Sequence, residues 1–88
     1  MAMEDILVQI GKRLCKRRKE MGLTQEAMAE RLGMSTTFYG EIERGRKRLS
    51  IEKILLVYEQ TGMDPDYLLT GEGLRNQVAM EIFKNCPE

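Results

Sequence analysis

The stretch TQEAMAERLGMSTTFYGEIERG, residues 24–45, decides how this chain folds. Thr24 is a suitable N-cap for one short helix, because its hydroxyl can accept a hydrogen bond from the N–H groups of the first turn. That helix stops at Gly33, and Ser35 caps a second helix that runs to Gly45. The connection is too short for antiparallel packing and favours a crossing near a right angle. The stretch therefore predicts two short helices held as one rigid unit.

Helical periodicity continues on both sides of this pair. A first helix is expected over about residues 4–20, with Gly22 as its stop signal. After the pair, Ser50 caps a fourth helix, and Asp64 followed by Pro65 begins a fifth. The predicted apolar faces are Ile6 or Leu7, Ile10, Leu14 and Met21 in the first helix, and Ile51, Ile54, Leu55 and Tyr58 in the fourth. No strand pattern occurs, so the predicted fold class is all-α.

The predicted organisation is a compact five-helix domain, residues 1–71, followed by a helical tail, residues 72–88. A chain of 88 residues is too short for two independent cores. In the tail, apolar residues recur at helical spacing, and the stripe either packs on its own domain or joins two chains. The candidate dimerisation residues are Leu74, Val78, Ile82 and Phe83.

The composition argues against several classes of function. The sequence has no histidine, the commonest general base and metal ligand. Cys15 and Cys86 match no metal-ligand spacing and are expected to be ordinary thiols. No apolar run is long enough for a membrane helix, and the N-terminus is acidic, unlike a signal peptide. We therefore expect a cytoplasmic protein that is not an enzyme and that binds no metal or cofactor.

The net charge of zero conceals a division between two parts of the chain. Residues 10–48 contain eleven Lys and Arg against five Asp and Glu, a net charge of +6. The remaining residues contain three against nine, a net charge of −6. A solvated helix face is the ordinary explanation for a run of charge, but such complete segregation also fits a binding surface for a polyanion.

Together these segments resemble the phage-repressor-like (Cro-type, XRE-like) helix-turn-helix family. The resemblance covers residues 10–71 and is carried by MGLTQEAMAERLGMS (21–35), IERG (42–45) and SIEKILLVYEQTGMDPDYLLTG (50–71). It implies a compact five-helix domain that binds double-stranded DNA with sequence specificity. Its third helix, about 35–44, is expected in the major groove while the second crosses the backbone. It further implies a transcriptional regulator that binds an inverted-repeat operator as a homodimer, with repression the preferred direction.

The resemblance also assigns roles position by position. The base-contacting positions hold Thr36, Thr37 and Glu41, and the phosphate-contacting positions hold Gln25, Arg44, Arg46, Lys47 and Arg48. Arg18 and Glu43 match positions whose side chains pair and orient the third helix. The role of Glu41 stays open, because its carboxylate can accept from a cytosine amino group, act against wrong sequences, or bind Arg44.

The sequence departs from the family pattern within the third helix. Tyr39 stands where a β-branched core residue is usual, and Gly40 stands where a small polar residue is common. Arg17 replaces a usual leucine, and its charged head is expected in water. An alternative function is a protein-interaction module, such as an antitoxin or a regulator-binding protein, that keeps the helix-turn-helix as a scaffold. The zero net charge and Glu41 favour that alternative, and the clustered basic residues oppose it.

Overall fold

The computed structural model describes residues 2–72, which form five α-helices. They are α1 (Met3–Glu20), α2 (Gln25–Arg31), α3 (Thr36–Glu43), α4 (Ile51–Thr61) and α5 (Pro65–Thr70). Residues 2–72 contain no strand, and the predicted all-α, five-helix fold is confirmed. The predicted tail helix, with Leu74, Val78, Ile82, Phe83 and Cys86, lies outside the described residues.

Side-chain caps set where four of the helices begin. The capping residues are Thr24, Ser35, Ser50 and Asp64, whose oxygens accept backbone N–H bonds of 3.0–3.2 Å. Between α2 and α3 the chain turns at Gly33, whose φ of +68° is a conformation that side chains with a Cβ rarely adopt. The N–H of Met34 then donates to the carbonyl of Ala29 at 3.0 Å, which closes the turn tightly.

The core lies where α1, α2 and α3 meet α4 and α5. Its buried apolar residues are Ile10, Leu14, Met28, Ala29, Leu32, Tyr39, Ile42, Val57, Met63 and Leu68. Tyr39 is the largest of the fully buried side chains. The position at which this chain departs from a β-branched residue is therefore still a core position, filled by a larger ring.

One side of α4 faces the core, and of the four residues expected on that side only Ile54 packs against it. Val57 and Thr61 are buried, and Ile54 is partly buried. The exposed apolar residues of this helix are Ile51 (76%), Leu55 (54%) and Tyr58 (53%). The expectation that these three residues belong to the core face was wrong. The Thr61 hydroxyl tolerates burial because it donates to the carbonyl of Val57 at 2.6 Å.

Basic side chains bind the C-terminal carbonyl groups of other helices. Arg13 Nη1 donates to Leu68 O at 2.9 Å, Arg17 Nε and Nη2 to Thr61 O at 3.1 and 2.7 Å, and Lys53 Nζ to Leu32 O at 2.8 Å. A cation at a helix C-terminus interacts favourably with the helix dipole and satisfies carbonyls that have no partner within the helix. The head of Arg17 therefore joins α1 to α4, where the sequence analysis placed it in water.

Candidate nucleic-acid interface

The outward side of α3 begins with two exposed threonines, Thr36 and Thr37. Ser35 supplies the N-cap of α3, so neither threonine is needed for that purpose. Among the described residues, no hydrogen bond or ion pair holds either threonine side chain. Both side chains are thus available, each with a hydroxyl that donates or accepts and a methyl group that can contact thymine.

Phe38 extends this outward surface and was given no role in the sequence analysis. Its side chain is 39% exposed, although it stands next to the fully buried Tyr39. Successive helical residues are rotated by about 100°, so Phe38 and Tyr39 point in clearly different directions from the axis of α3. Since Tyr39 stands at a core position of the family, the sequence already favoured a more exposed position for Phe38. An exposed phenyl ring on this helix is suited to contact a thymine methyl group.

The inward side of α3 ends at Glu43, whose carboxylate binds side chains from two other helices. Arg18 of α1 donates to it from Nε at 2.7 Å and from Nη2 at 3.3 Å. Gln25 of α2 donates from Nε2 at 2.9 Å. Arg18 Nη1 also donates to the carbonyl of Leu23 at 2.9 Å. Three helices are therefore joined at one carboxylate, which fixes the orientation of α3.

The charges in this cluster stabilise one another. Burial works against ionisation of Glu43, but hydrogen bonds, chiefly from Arg18, hold its pKa below the ordinary value of a glutamate. The hydrogen bond to Glu43 raises the pKa of Arg18. The Tyr39 hydroxyl lies beside Glu43, without a hydrogen bond of regular geometry to any described residue. Its burial, and then the neighbouring carboxylate, raise the pKa of Tyr39, so that this ring remains neutral.

Close backbone contact between α1 and α3 depends on Gly11. A Cβ at this buried position would stand 2.6 Å from the carbonyl oxygen of Ile42 and 2.7 Å from the carbonyl carbon of Glu43. Gly11 was not among the residues predicted from the sequence to matter for the site. Its signal was a glycine inside a predicted helix, which costs about 0.5–1 kcal/mol relative to alanine and so calls for a packing reason.

Basic residues follow α3 at the surface. Arg44, Arg46, Lys47 and Arg48 are all exposed. Glu41, on the outward side of α3, binds two of them: its Oε2 accepts from Arg44 Nη2 at 2.8 Å, and its Oε1 lies 4.0 Å from Arg46 Nη1. The hydrogen bond from Arg44 lowers the pKa of Glu41, so the carboxylate is ionised near neutral pH. Three roles were left open for Glu41: accepting from a cytosine, acting against wrong sequences, and binding Arg44. The structure shows the contact with Arg44.

A family match follows this geometry. The helix-turn-helix family model matches residues 16–68, well over half of the chain. The chain belongs to this helix-turn-helix family.

Individual proteins of known structure or sequence are similar to this chain as well. The restriction-modification controller protein C.AhdI from Aeromonas hydrophila is 31% identical in sequence, with a TM-score of 0.70 over 77% of this chain and 99% of that one. The SPbeta prophage-derived uncharacterized HTH-type transcriptional regulator YonR of Bacillus subtilis is 31% identical over 78 residues, 89% of this chain and 70% of that protein. The propionyl-CoA carboxylase regulator of Cereibacter sphaeroides is 30% identical over 83 residues, 88% of this chain. This chain spans only 18% of that longer protein. The family and these relatives support DNA binding and transcriptional regulation.

In this helix-turn-helix protein the predicted site residues fall into separate groups. Beneath α3 the structure brings together Arg18, Gln25 and Glu43. At the surface of α3 it brings together Glu41, Arg44 and Arg46. Thr36 and Thr37 stay exposed at the start of the helix. Gln25, predicted to contact phosphate, donates its amide N–H to Glu43, and its Oε1 lies near Gly40.

Residues 2–72 contain no helix long and apolar enough to cross a membrane, and no group of three metal-ligating side chains.

Proposed function

We propose that this chain regulates transcription in the cytoplasm by binding an inverted-repeat operator in double-stranded DNA as a homodimer. In each protomer α3 enters the major groove, where Thr36, Thr37 and Phe38 contact base edges. Gln25 and the basic residues Arg44, Arg46, Lys47 and Arg48 contact phosphates. Repression is the proposed direction, since it requires only that the bound dimer block polymerase.

The observation that carries this proposal is the contrast between the two sides of α3. Its inner side is fixed to α1 and α2 through Glu43, while its outer side presents polar and aromatic side chains to solvent. A recognition helix requires both properties, because hydroxyl hydrogen bonds and methyl or ring contacts to base edges are lost when the helix moves. The basic residues that follow supply the phosphate contacts from which most non-specific affinity arises.

The homodimer is supported by the exposed apolar side of α4. Ile51, Leu55 and Tyr58 recur at helical spacing on one side of this helix and are all more than half exposed. Leu69 of α5, which packs against α4, is 41% exposed as well. A second copy of this chain is the proposed occupant of this surface, since operators with two-fold symmetry require a two-fold protein dimer.

The test of DNA binding is selection from a pool of random duplex DNA at physiological salt, followed by sequencing of the enriched molecules. An inverted repeat with half-site centres about 10 bp apart is expected, because two recognition helices must reach one face of the duplex. A pool without enrichment overturns the proposal and would favour the protein-interaction module.

The contribution of the basic segment is tested with the Arg46→Glu/Arg48→Glu variant. If both side chains contact phosphates, binding is lost at physiological salt, and the dependence of log K on log salt becomes shallower by about 0.9 for each phosphate that is no longer neutralised. Fluorescence anisotropy at several salt concentrations measures both quantities. Unchanged affinity would exclude this segment from the interface.

The dimer surface is located with two full-length variants that carry the same added charge. Leu55→Asp/Tyr58→Asp is expected to give a monomer by sedimentation velocity, because two carboxylates cannot be buried unpaired between copies. Val78→Asp/Ile82→Asp makes the equivalent change in the tail predicted from the sequence. A monomer from the tail variant alone would move the dimer interface to residues 72–88.

A further inference from the structure

Glu41 is an unusual residue for a surface that meets DNA. Its carboxylate stands on the outward side of α3 and accepts a 2.8 Å hydrogen bond from Arg44. Its second oxygen lies 4.0 Å from a guanidinium nitrogen of Arg46. The N–H of Arg46 also donates to the backbone carbonyl of Glu41 at 2.9 Å, which holds the start of the basic segment next to this carboxylate.

The same hydrogen bond determines where the Arg44 side chain lies. Its two terminal nitrogens are 3.5 and 3.6 Å from the point at which a Cβ on Gly40 would stand, and Gln25 Oε1 is 3.5 Å from that point. The guanidinium is therefore folded back along α3, between Glu41 and Gly40. At these distances even a methyl group on residue 40 would be in ordinary contact with the guanidinium, and a longer side chain would compete for its position.

A phosphate oxygen and the Glu41 carboxylate compete for the same guanidinium. Both are anionic acceptors for its N–H groups, and binding both at once brings two negative charges close together. When Arg44 contacts a phosphate, either its hydrogen bond to Glu41 weakens, or the phosphate is repelled by the negative charge of the Glu41 carboxylate. The competition involves only the backbone of the nucleic acid, so it does not depend on base sequence.

We propose that Glu41 is a positioning residue that weakens the phosphate contacts of Arg44 and Arg46 and reads no base. This inference rests on the proposed function. It assigns the carboxylate to the control of sequence-independent affinity, which in DNA-binding proteins arises almost entirely from phosphate contacts. Base readout is left to the residues at the start of α3.

The test compares Glu41→Gln with Glu59→Gln on two duplexes, the selected operator and a scrambled sequence of the same length. Glu59 is an exposed residue of α4 and provides the same change of net charge away from α3. Glu41→Gln is expected to tighten binding to both duplexes alike, by about three- to tenfold at 50 mM salt, and to steepen the salt slope by about 0.9 for each additional phosphate that the variant neutralises. The advantage over wild type should then shrink about threefold between 50 and 200 mM salt for each such phosphate.

A second background identifies the partner of the carboxylate. In Arg44→Gln protein, the increase in affinity from Glu41→Gln should fall to less than half, since the charge that Glu41 restrains is absent. An undiminished increase would overturn the role of Arg44.

Other outcomes separate this inference from the proposed function. A Glu41→Gln variant that loses tenfold or more on the operator and keeps its affinity for the scrambled duplex would show that Glu41 reads a base. An increase in affinity no larger than that of Glu59→Gln would show that only net charge matters. Either result overturns the inference while DNA binding stands. Wild-type protein that binds neither duplex at 50 mM salt would overturn both.

Discussion

Glu43 and Glu41 lie two residues apart on α3, and the molecule uses them in opposite ways. Two positions along a helix rotate a side chain by about 200°, so one carboxylate points toward α1 and the other toward solvent. The side chain of Glu43 is 6% exposed and accepts hydrogen bonds from Arg18 and Gln25. The side chain of Glu41 is 24% exposed and binds Arg44, from its own helix end. The same type of residue therefore joins helices at position 43, where it binds Arg18, and stays within the end of its own helix at position 41, where it binds Arg44.

The largest expected difference between these regions is in stability. Glu43→Ala leaves Arg18 charged and partly buried without its partner, and breaking such a pair costs about 3–5 kcal/mol. Glu41→Ala removes only surface contacts, and its unfolding midpoint should stay near that of wild type. Urea denaturation at pH 7, followed by circular dichroism, measures both variants. Equal losses of unfolding free energy in the two variants would mean that the contacts of Glu43 with Arg18 and Gln25 do not anchor α3.

A pair of glycine substitutions compares the tight contact between α1 and α3, at Gly11, with a buried but roomier position on α3, at Gly40. Gly11→Ala places a methyl group against the backbone of Ile42 and Glu43, and overpacking of this kind costs about 1–3 kcal/mol. Gly40→Ala meets no atom closer than 3.5 Å and should instead stabilise the fold by about 0.5–1 kcal/mol, the helix preference for alanine. The same denaturation measurement gives both values, and a common sign would contradict the geometry.

The smallest expected effect is on the response to acid. Because the pKa of Glu43 is lower in the folded protein than in the unfolded chain, its contribution to the free energy of unfolding is complete above about pH 5 and is lost as pH falls through the folded-state value. Glu43→Gln should therefore give a shallower loss of stability than wild type between about pH 5 and pH 3. Glu20→Gln serves as the control, since the pKa of Glu20 is lowered as well, but by ion pairs at the surface. A steeper acid response in Glu43→Gln would reverse the sign and refute the assignment.

Helix boundaries followed from the sequence because their chemistry is local. Thr24, Ser35, Ser50 and Asp64 cap the helices that were expected to start there, and a hydroxyl or carboxyl oxygen needs only the next turn of its own chain to act. The resemblance to a family supplied the candidate DNA-contacting residues and the Arg18–Glu43 pair, and the structure adds which of them meet. Periodicity on its own gave only the candidate dimerisation residues of the tail.

What the sequence could not supply depends on contacts between distant segments. The helix α4 has apolar residues on two sides, and only its packing in the folded domain decides that Val57 faces inward while Leu55 faces out. The close approach at Gly11 depends on residues about thirty positions away. For α4 and for Gly11 the deciding partner lies on another helix, where local propensity carries no information. Phe38 is different, because the neighbouring Tyr39 stood at a core position of the family and so already favoured a surface position for Phe38.

The three arginines of α1 have a consequence for how this protein opens. Arg13, Arg17 and Arg18 hold the end of α5, the end of α4 and the last turn of α3, respectively. No one of these helices can leave α1 without exposing carbonyl groups or a carboxylate that the arginines satisfy. We therefore expect amide hydrogen exchange in α3, α4 and α5 to proceed largely through one common, global opening, with few smaller fluctuations before it. A domain that opens in this way binds a partner with its helices already formed, so binding does not bear the entropic cost of ordering their backbone.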